Sequence, residues 1–343
     1  MYKIAVLRGD GIGPEIVDES LKVLDFIADK YQLDFDISFG HFGGEGIDKE
    51  GCPFPETTKR IIDQADAVLL GAVGGPKWND APKRPEAGLL ELRQYIKSYC
   101  NVRPIIGFEP LLDMSPVKLD GPVDICFIRE LTGGIYFGER GFNEDEAFDV
   151  EKYSKSEVQR ISKKAFEYSK NRRGKVTSVD KSNVLSSSKL WRQTVKEISK
   201  AYDSELNHMY VDNAAMQLIL NPYQFDVVLT NNIFGDILSD EASVLAGSIG
   251  VLPSASIGDG IGLFEPIHGS APDIAGEDIA NPIGMIMSLA MMLDYLGYKA
   301  IYNDIYEAIN NTLKEGYGTI DLKLDRHITT SEWTNRLIKT LGI

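Results

Sequence analysis

Val227-Val228-Leu229-Thr230-Asn231-Asn232-Ile233-Phe234-Gly235-Asp236-Ile237-Leu238-Ser239-Asp240-Glu241-Ala242-Ser243-Val244-Leu245-Ala246-Gly247-Ser248-Ile249-Gly250 decides how this chain is read. The apolar, β-branched run at 227–229 predicts a buried strand. Thr230 to Asn232 favour a turn and a helix start. The helix that follows takes Ile237, Leu238, Val244 and Leu245 as much of its apolar stripe. Asp236 and Asp240 stand four apart on that helix, so they share a face with Cβ atoms roughly 6 Å apart. Like charges at that spacing destabilise a helix, so a positive partner is expected there. A hard divalent cation taking oxygen ligands, Mg²⁺ or Mn²⁺, fits that role.

The chain on either side alternates strand and helix, which predicts an α/β protein with a largely parallel sheet. Tyr2–Leu7 reads as a strand. Gly9-Asp10-Gly11-Ile12-Gly13-Pro14-Glu15 follows and opens a helix ending near Tyr31. This is not the dinucleotide fingerprint, because Pro14 occupies the place of its third glycine. Proline suits the first helical position instead. Strands are expected at 33–39 and 67–73, then a loop at Gly74-Gly75-Pro76-Lys77-Trp78. A helix opening at Pro85 is expected to reach about Tyr99. Further strands fall at 123–130 and 176–180, and at 208–211 leading into Asp212. A short strand is expected just after Thr132, and an acidic projecting arm lies near 133–150. Helices are expected at 155–171, 187–202, 213–220, 301–315 and 330–341. The helix holding Met285, Met287, Met291 and Met292 reads as core filler.

Composition is that of an ordinary folded protein, with 43% hydrophobic and 25% charged residues in 343. A formal net charge of −15 argues against nucleic acid or an anionic membrane as partner. It also means that an anionic substrate needs a local cluster of arginines. Cys52, Cys100 and Cys126 are scattered, without metal-ligand spacing, and read as free thiols in a reducing compartment. No signal peptide and no membrane-length apolar run is seen, so a cytoplasmic protein is expected.

Polar residues gather at the predicted strand ends: Arg93, Arg103, Arg129, Tyr136, Lys181, Asp212, Asp236 and Asp240. Ligands of open α/β sheets bind beyond the carboxyl ends of strands. Three guanidinium forks there suit carboxylates.

Six runs in order, Gly9–Glu15, Gly74–Trp78, Arg129–Gly138, Asp180–Leu185, Gly235–Asp240 and His268–Asp273, resemble the β-decarboxylating dehydrogenases. That family covers isocitrate, homoisocitrate, malate/tartrate and 3-isopropylmalate dehydrogenases, and the resemblance spans nearly the whole chain. It implies the family's two-domain fold, not a Rossmann fold. Residues 1–98 plus 251–343 would form a discontinuous cofactor-side domain, and 99–250 a substrate and dimerisation domain, with a cleft between them. It also implies a homodimer with shared active sites. Asp236 and Asp240, with Asp212 of the partner subunit, would hold the metal. Lys181, also from the partner and beside Asp212, would take the hydroxyl proton, and Tyr136 would protonate carbon. Arg93, Arg103 and Arg129 would hold carboxylates.

The branch of the family turns on Glu86-Ala87-Gly88-Leu89-Leu90. An unpaired third carboxylate against Leu89 and Leu90 costs several kcal/mol. An isopropyl group there gains roughly 0.8 kcal/mol per buried CH₂. By the same resemblance Glu86, Leu89, Leu90 and Val184 of the partner subunit would line that pocket, which implies oxidative decarboxylation of 3-isopropylmalate to 4-methyl-2-oxopentanoate in leucine biosynthesis. A D-malate or tartrate dehydrogenase of the same family is the alternative, and a non-catalytic regulatory subunit a remote one. For the cofactor the resemblance points to Ile12, Gly74, Glu265, His268, Gly269, Ser270, Ala271, Pro272, Asp273 and Asn281. Asp273 would accept from the ribose 2′-hydroxyl and repel a 2′-phosphate, so NAD is expected over NADP. Two departures stand out: Arg8 replaces a proline common in the family, and the Gly138–Gly141 run of the arm lacks the relatives' longer, proline-containing form.

Overall fold

The computed structural model describes residues 1–342. Its first third runs β1 (Tyr2–Leu7), α1 (Gly13–Tyr31), β2 (Phe35–Phe39), α2 (Gly44–Glu50), α3 (Glu56–Ile62), β3 (Ala67–Leu70), α4 (Pro85–Tyr95) and β4 (Ser98–Ile106). Then come β5 (Asp124–Glu130), β6 (Arg140–Phe142), β7 (Ala147–Asp149), α5 (Lys155–Lys170), β8 (Lys175–Asp180), α6 (Ser186–Ser199), β9 (Glu205–Tyr210) and α7 (Val211–Leu220). β10 (Val227–Thr230), α8 (Asn232–Ser243), β11 (Pro253–Gly258), β12 (Gly262–Pro266) and α9 (Ile283–Tyr295) follow. α10 (Lys299–Lys314), β13 (Tyr317–Gly318), β14 (Arg326–His327) and α11 (Thr330–Leu341) close the chain.

Two compact units form. The first is residues 1–98, 108–121 and 246–343, and the second is 99–107 and 122–245. In the first unit the strands lie in the order β2-β1-β3-β12-β11. All neighbours are parallel except β11 against β12. Leu7, Phe42, Phe54, Val68, Leu70, Leu92 and Leu263 pack one of its cores. α9 is buried nearly all round, including Met285, Met287 and Met292, as an apolar helix without a polar face must be.

In the second unit the order is β4-β5-β10-β8-β9, with only β4 antiparallel. β10 is central and fully buried, which is why its sequence is apolar without alternation. Thr230 pairs with Arg129 on one side and Val179 on the other, and Asp180 pairs with Tyr210. The carboxyl ends of β5, β10, β8 and β9 therefore lie along one edge. The antiparallel β4 brings Asn101 to the same level, opposite Arg129.

Several expected boundaries shift. The helix opening at Pro85 stops at Tyr95, because Lys97 turns left-handed at φ 54° and Ser98 begins β4. The strands expected at 33–39 and 67–73 shorten to Phe35–Phe39 and Ala67–Leu70. After Thr132 there is one turn of 3₁₀ helix at Gly134–Tyr136 rather than a strand, and the arm is the hairpin β6–β7. Asp212 lies in the first turn of α7 rather than at a strand end. On α8, Leu238 is buried, but Ile237 is 60% exposed and Val244 41% exposed, so only part of the expected stripe faces the core. Arg8 stacks on Phe39, 4.4 Å from the ring centre, and pairs with Asp18 at 2.8 Å.

Candidate active site

In the second unit, α8 begins where β10 ends, and Asn231 caps it by accepting the Phe234 N–H. Asp236 and Asp240 then face the ends of β4 and β5. Arg129, 5% exposed, donates through Nη1 to Asp236 Oδ1 at 2.5 Å. Its Nε and Nη2 both donate to Asn232 Oδ1, at 3.0 and 2.8 Å. Gly235 makes this possible: a Cβ there would lie 2.7 Å from Arg129 Cγ and 2.4 Å from Thr230 Oγ1. Arg103 donates to Asp240 Oδ1 and Ser239 Oγ, each at 2.8 Å, and its Nε donates to Asn101 at 2.8 Å. The Tyr136 hydroxyl donates to Asp236 Oδ2 at 2.9 Å. Burial, then the Asp236 charge, push the Tyr136 pKa above its ordinary value.

Arg103, Arg129, Tyr136, Asp236 and Asp240 therefore form one cluster. Lys181 and Asp212 form another, joined at 2.5 Å. The Lys181 ammonium holds the Asp212 carboxyl below its usual range. Asp180 braces that turn, accepting from Ser182 N–H and from Arg192 Nε and Nη2. Among the described residues neither Lys181 nor Asp212 is ion-paired to Asp236 or Asp240. Nor do three His, Cys, Asp or Glu side chains converge as a metal-binding group among the described residues. One chain offers two hard carboxylates at α8. These fit a divalent cation in donor chemistry but leave room for ligands from elsewhere.

The first unit carries the remaining residues. Gly74, at φ 107°, has its N–H bound by the Asp10 carboxylate at 2.9 Å and its carbonyl bound by Ser270 Oγ at 2.8 Å. A Cβ on Gly74 would come within 2.8 Å of Glu86 Oε1, so this backbone and the start of α4 face each other closely. Ile12 N–H donates to the Ser270 carbonyl at 2.8 Å. Ala271 holds a left-handed φ of 36°, a strained conformation for a residue with a side chain. The His268 ring has Nδ1 at 3.0 Å from the Gly269 carbonyl, while Nε2 is buried without a partner. Burial lowers its pKa, so the ring is held in the neutral form. An orphaned ring nitrogen beside a glycine-lined backbone fits a polar, flat ligand such as a nucleotide.

Asn281 is already engaged, donating to Asp321 at 3.0 Å and accepting from Ile283 N–H at 3.0 Å. Pro272 and Asp273 are exposed. Arg93 is largely buried and ion-paired to Glu265 at 2.8 Å. The two leucines part ways: Leu89 packs against the core, whereas Leu90 is 48% exposed. Leu90 lines an open recess of about 460 Å³ with Pro82, Lys83, Arg84, Glu86 and Ala87.

Sequence reasoning missed Asn232, Asn101 and Asp10 as organisers. Their only signal was polarity at a strand end or turn. Cys100 and Cys126 are buried free thiols, and burial pushes the Cys126 thiol up to about 12. No helix among the described residues is long and apolar enough to cross a membrane.

A family model described as isocitrate/isopropylmalate dehydrogenase matches residues 3–337. A protein of Thermotoga maritima named 3-isopropylmalate dehydrogenase is 53% identical over 99% of both chains. One of Aquifex aeolicus with the same name is 52% identical over 99% of this chain and 97% of its own. Among solved structures, isocitrate dehydrogenase from Methylococcus capsulatus superposes with a TM-score of 0.91 at 34% identity, covering 100% of each chain. A β-decarboxylating dehydrogenase from Thermococcus kodakarensis gives a TM-score of 0.86 at 36% identity, over 100% of this chain and 96% of its own.

Proposed function

The chain belongs to the isocitrate/isopropylmalate dehydrogenase family, and from that premise we propose that it oxidises and decarboxylates 3-isopropylmalate with NAD, yielding 4-methyl-2-oxopentanoate, CO₂ and NADH. Such a reaction belongs to leucine biosynthesis, and a cytoplasmic setting suits it. The observation that carries the substrate assignment is the full-length likeness to proteins named for that substrate, at 53% and 52% identity. Leu90 on its open recess supports it, because that wall offers an apolar contact.

Arg103 and Arg129 hold the carboxylates of the malate half, assisted by Arg93. Each already has its guanidinium plane fixed by a neutral amide, Asn101 or Asn232, so little ordering is left to the moment of binding. Asp236 and Asp240 would hold Mg²⁺ or Mn²⁺ together with Asp212 of a second copy. When bound, the cation would supply Lewis acidity for the substrate's hydroxyl end, and NAD would supply the hydride acceptor. Lys181 of the second copy takes the hydroxyl proton. After CO₂ leaves, Tyr136 hands its proton to the carbon that lost it. Tyr136 suits this step because its surroundings favour the protonated form. Glu86, and Val184 of the second copy, would complete the apolar-end pocket beside Leu89 and Leu90. Ile12, Gly74 and Glu265 serve the nicotinamide side; His268 to Asp273 and Asn281 serve the adenosine side.

A homodimer supports this division of labour. In the second unit, Met216 and Leu220 on α7 are 56% and 74% exposed, and Ile237 and Val244, on α8 and just after it, are exposed as well. Phe142 of the β6–β7 hairpin is 90% exposed and Val184 is 64% exposed. Exposed apolar side chains in this number support a contact with another chain. The test is turnover of 3-isopropylmalate with NAD and Mg²⁺ against D-malate and isocitrate. Comparable kcat/KM on D-malate would move the assignment to the malate branch.

A further inference from the structure

The Gly9–Glu15 turn sits where a dinucleotide fold places its phosphate cradle, between a first strand and a first helix. Three of its backbone donors, however, are already engaged within the protein. Asp10 N–H donates to Ala72 O at 2.7 Å, Ile12 N–H to Ser270 O at 2.8 Å and Gly13 N–H to Asp10 O at 2.8 Å. Pro14 has no N–H. In place of a phosphate the turn holds a carboxylate of its own.

Asp10 is 4% exposed, and no cation stands among the groups that act on its carboxyl. Its Oδ2 accepts from Gly44 N–H and Gly74 N–H, both at 2.9 Å, and Oδ1 accepts from Glu45 N–H at 3.1 Å. Burial raises its pKa, and the three backbone amides act against that by favouring the carboxylate. The Gly74 link closes a circuit. Asp10 holds the Gly74 N–H, Ser270 Oγ holds the Gly74 carbonyl, and the Ser270 carbonyl holds the N–H of Ile12, two residues from Asp10. Three loops distant in sequence, 9–13, 72–75 and 268–271, are tied at one residue, through the two peptide groups that flank the Gly74 Cα. A side chain on Gly11 could not fit, since its Cβ would lie 2.0 Å from the Ser270 carbonyl oxygen.

We propose that Asp10 is a positioning residue for the nicotinamide cofactor: it fixes the Gly74 peptide relative to Ser270, so that the glycine turn serves the cofactor through an internal carboxylate rather than by touching phosphate. This rests on the reading that Gly74 and Ser270 belong to the cofactor site. An asparagine at this position has the same shape but only one acceptor oxygen. At least one of the three amide N–H groups then faces an NH₂ donor, and the loops must part.

The test is NADH binding by fluorescence titration, with steady-state kinetics, on wild type, Asp10→Asn, Ser270→Ala and the double variant. Asp10→Asn should weaken NADH binding and raise the KM for NAD at least tenfold. The KM for 3-isopropylmalate should stay within twofold. Because both side chains hold the backbone of one residue, Gly74, the double variant should bind little worse than Asp10→Asn alone, which a general loss of stability would not produce. Should Asp10→Asn fail to fold, Ser270→Ala must by itself show the selective rise in KM for NAD. NADH affinity within twofold of wild type, or equal rises in both KM values, overturns the proposal. Wild type that binds no NADH overturns the functional reading, and this inference with it; wild type that binds while Asp10→Asn binds equally well overturns this inference alone.

Discussion

Replacing Arg129 by lysine keeps the charge and removes the fork. In the wild type three donors leave one guanidinium in two directions, two to Asn232 Oδ1 and one to Asp236 Oδ1. A lysine ammonium is a single point and cannot serve both. With Asp236 the stronger attractor, Asn232 loses both donors to its Oδ1. That residue is 1% exposed, so solvent does not replace them. An acceptor stranded in this way costs about 1–3 kcal/mol. The melting temperature should fall by a few degrees in consequence. Catalysis should suffer separately. If the fork grips a substrate carboxylate with two bonds, lysine forfeits one charge-assisted bond, worth about 1.5–3 kcal/mol. That converts to a loss of about 10- to 150-fold in kcat/KM for 3-isopropylmalate. The assay is steady-state NADH formation at saturating NAD and Mg²⁺, with a melting curve on the same preparation. A lower melting temperature with kcat/KM within threefold of wild type would show Arg129 to be a structural prop for Asn232 and would refute its role as a carboxylate ligand.

Tyr136→Phe should lower kcat by about 10²-fold or more, as loss of a general acid does, with the KM for 3-isopropylmalate changed less than about threefold. Burial and Asp236 raise the Tyr136 pKa, so the protonated form is favoured and is lost only as pH rises beyond the ordinary tyrosine value of about 10; an alkaline fall in kcat near pH 9 that the phenylalanine variant abolishes would contradict this. Asp240→Asn should leave the metal-free protein about as stable as wild type, because the Asp240 side chain is 62% exposed and exposed ion pairs contribute only about 0–1 kcal/mol. It should abolish the rise in melting temperature that Mg²⁺ or Mn²⁺ gives wild type, and a full shift in the variant would exclude Asp240 as a ligand. Subunits carrying Tyr136→Phe and subunits carrying Lys181→Met should each be inactive, yet regain about a quarter of wild-type activity when co-refolded, since random pairing gives half heterodimers with one intact site each. No recovery on mixing would place Lys181 and Tyr136 of the same chain in one site.

Much of this was legible in the residues. β10 announces itself by an apolar run, and α8 by its Asn231 cap and the spacing of Asp236 and Asp240. Arg129 could be collected because it closes a strand pattern, whereas Arg93 lies in the last turn of α4 and Arg103 inside β4, so neither sits at the strand end expected of it. What escaped has physical causes. β11 and β12 are short and rich in proline, glycine and serine, so no periodicity marks them. The overrun of α4 came from the apolar spacing of Leu92, Ile96 and Tyr99, which a left-handed Lys97 interrupts without any sequence signal such as glycine. Ile237 and Val244 satisfy helical periodicity, but they face outward, and periodicity cannot tell a core from an interface. Leu89 and Leu90 are neighbours in sequence that point to different surroundings, as adjacent helical residues must. Asp10 was invisible as an organiser because its partners are backbone amides at residues 44, 45 and 74, which have no letter in the sequence.

The most direct test of the account is NADH formation by the purified protein with 3-isopropylmalate, Mg²⁺ and NAD, run beside wells that substitute NADP, isocitrate or D-malate. Turnover confined to the first mixture is the predicted result and joins the Leu90 recess to the Asp273 loop in one reading. Turnover mainly on D-malate, or equally well with NADP, would contradict it.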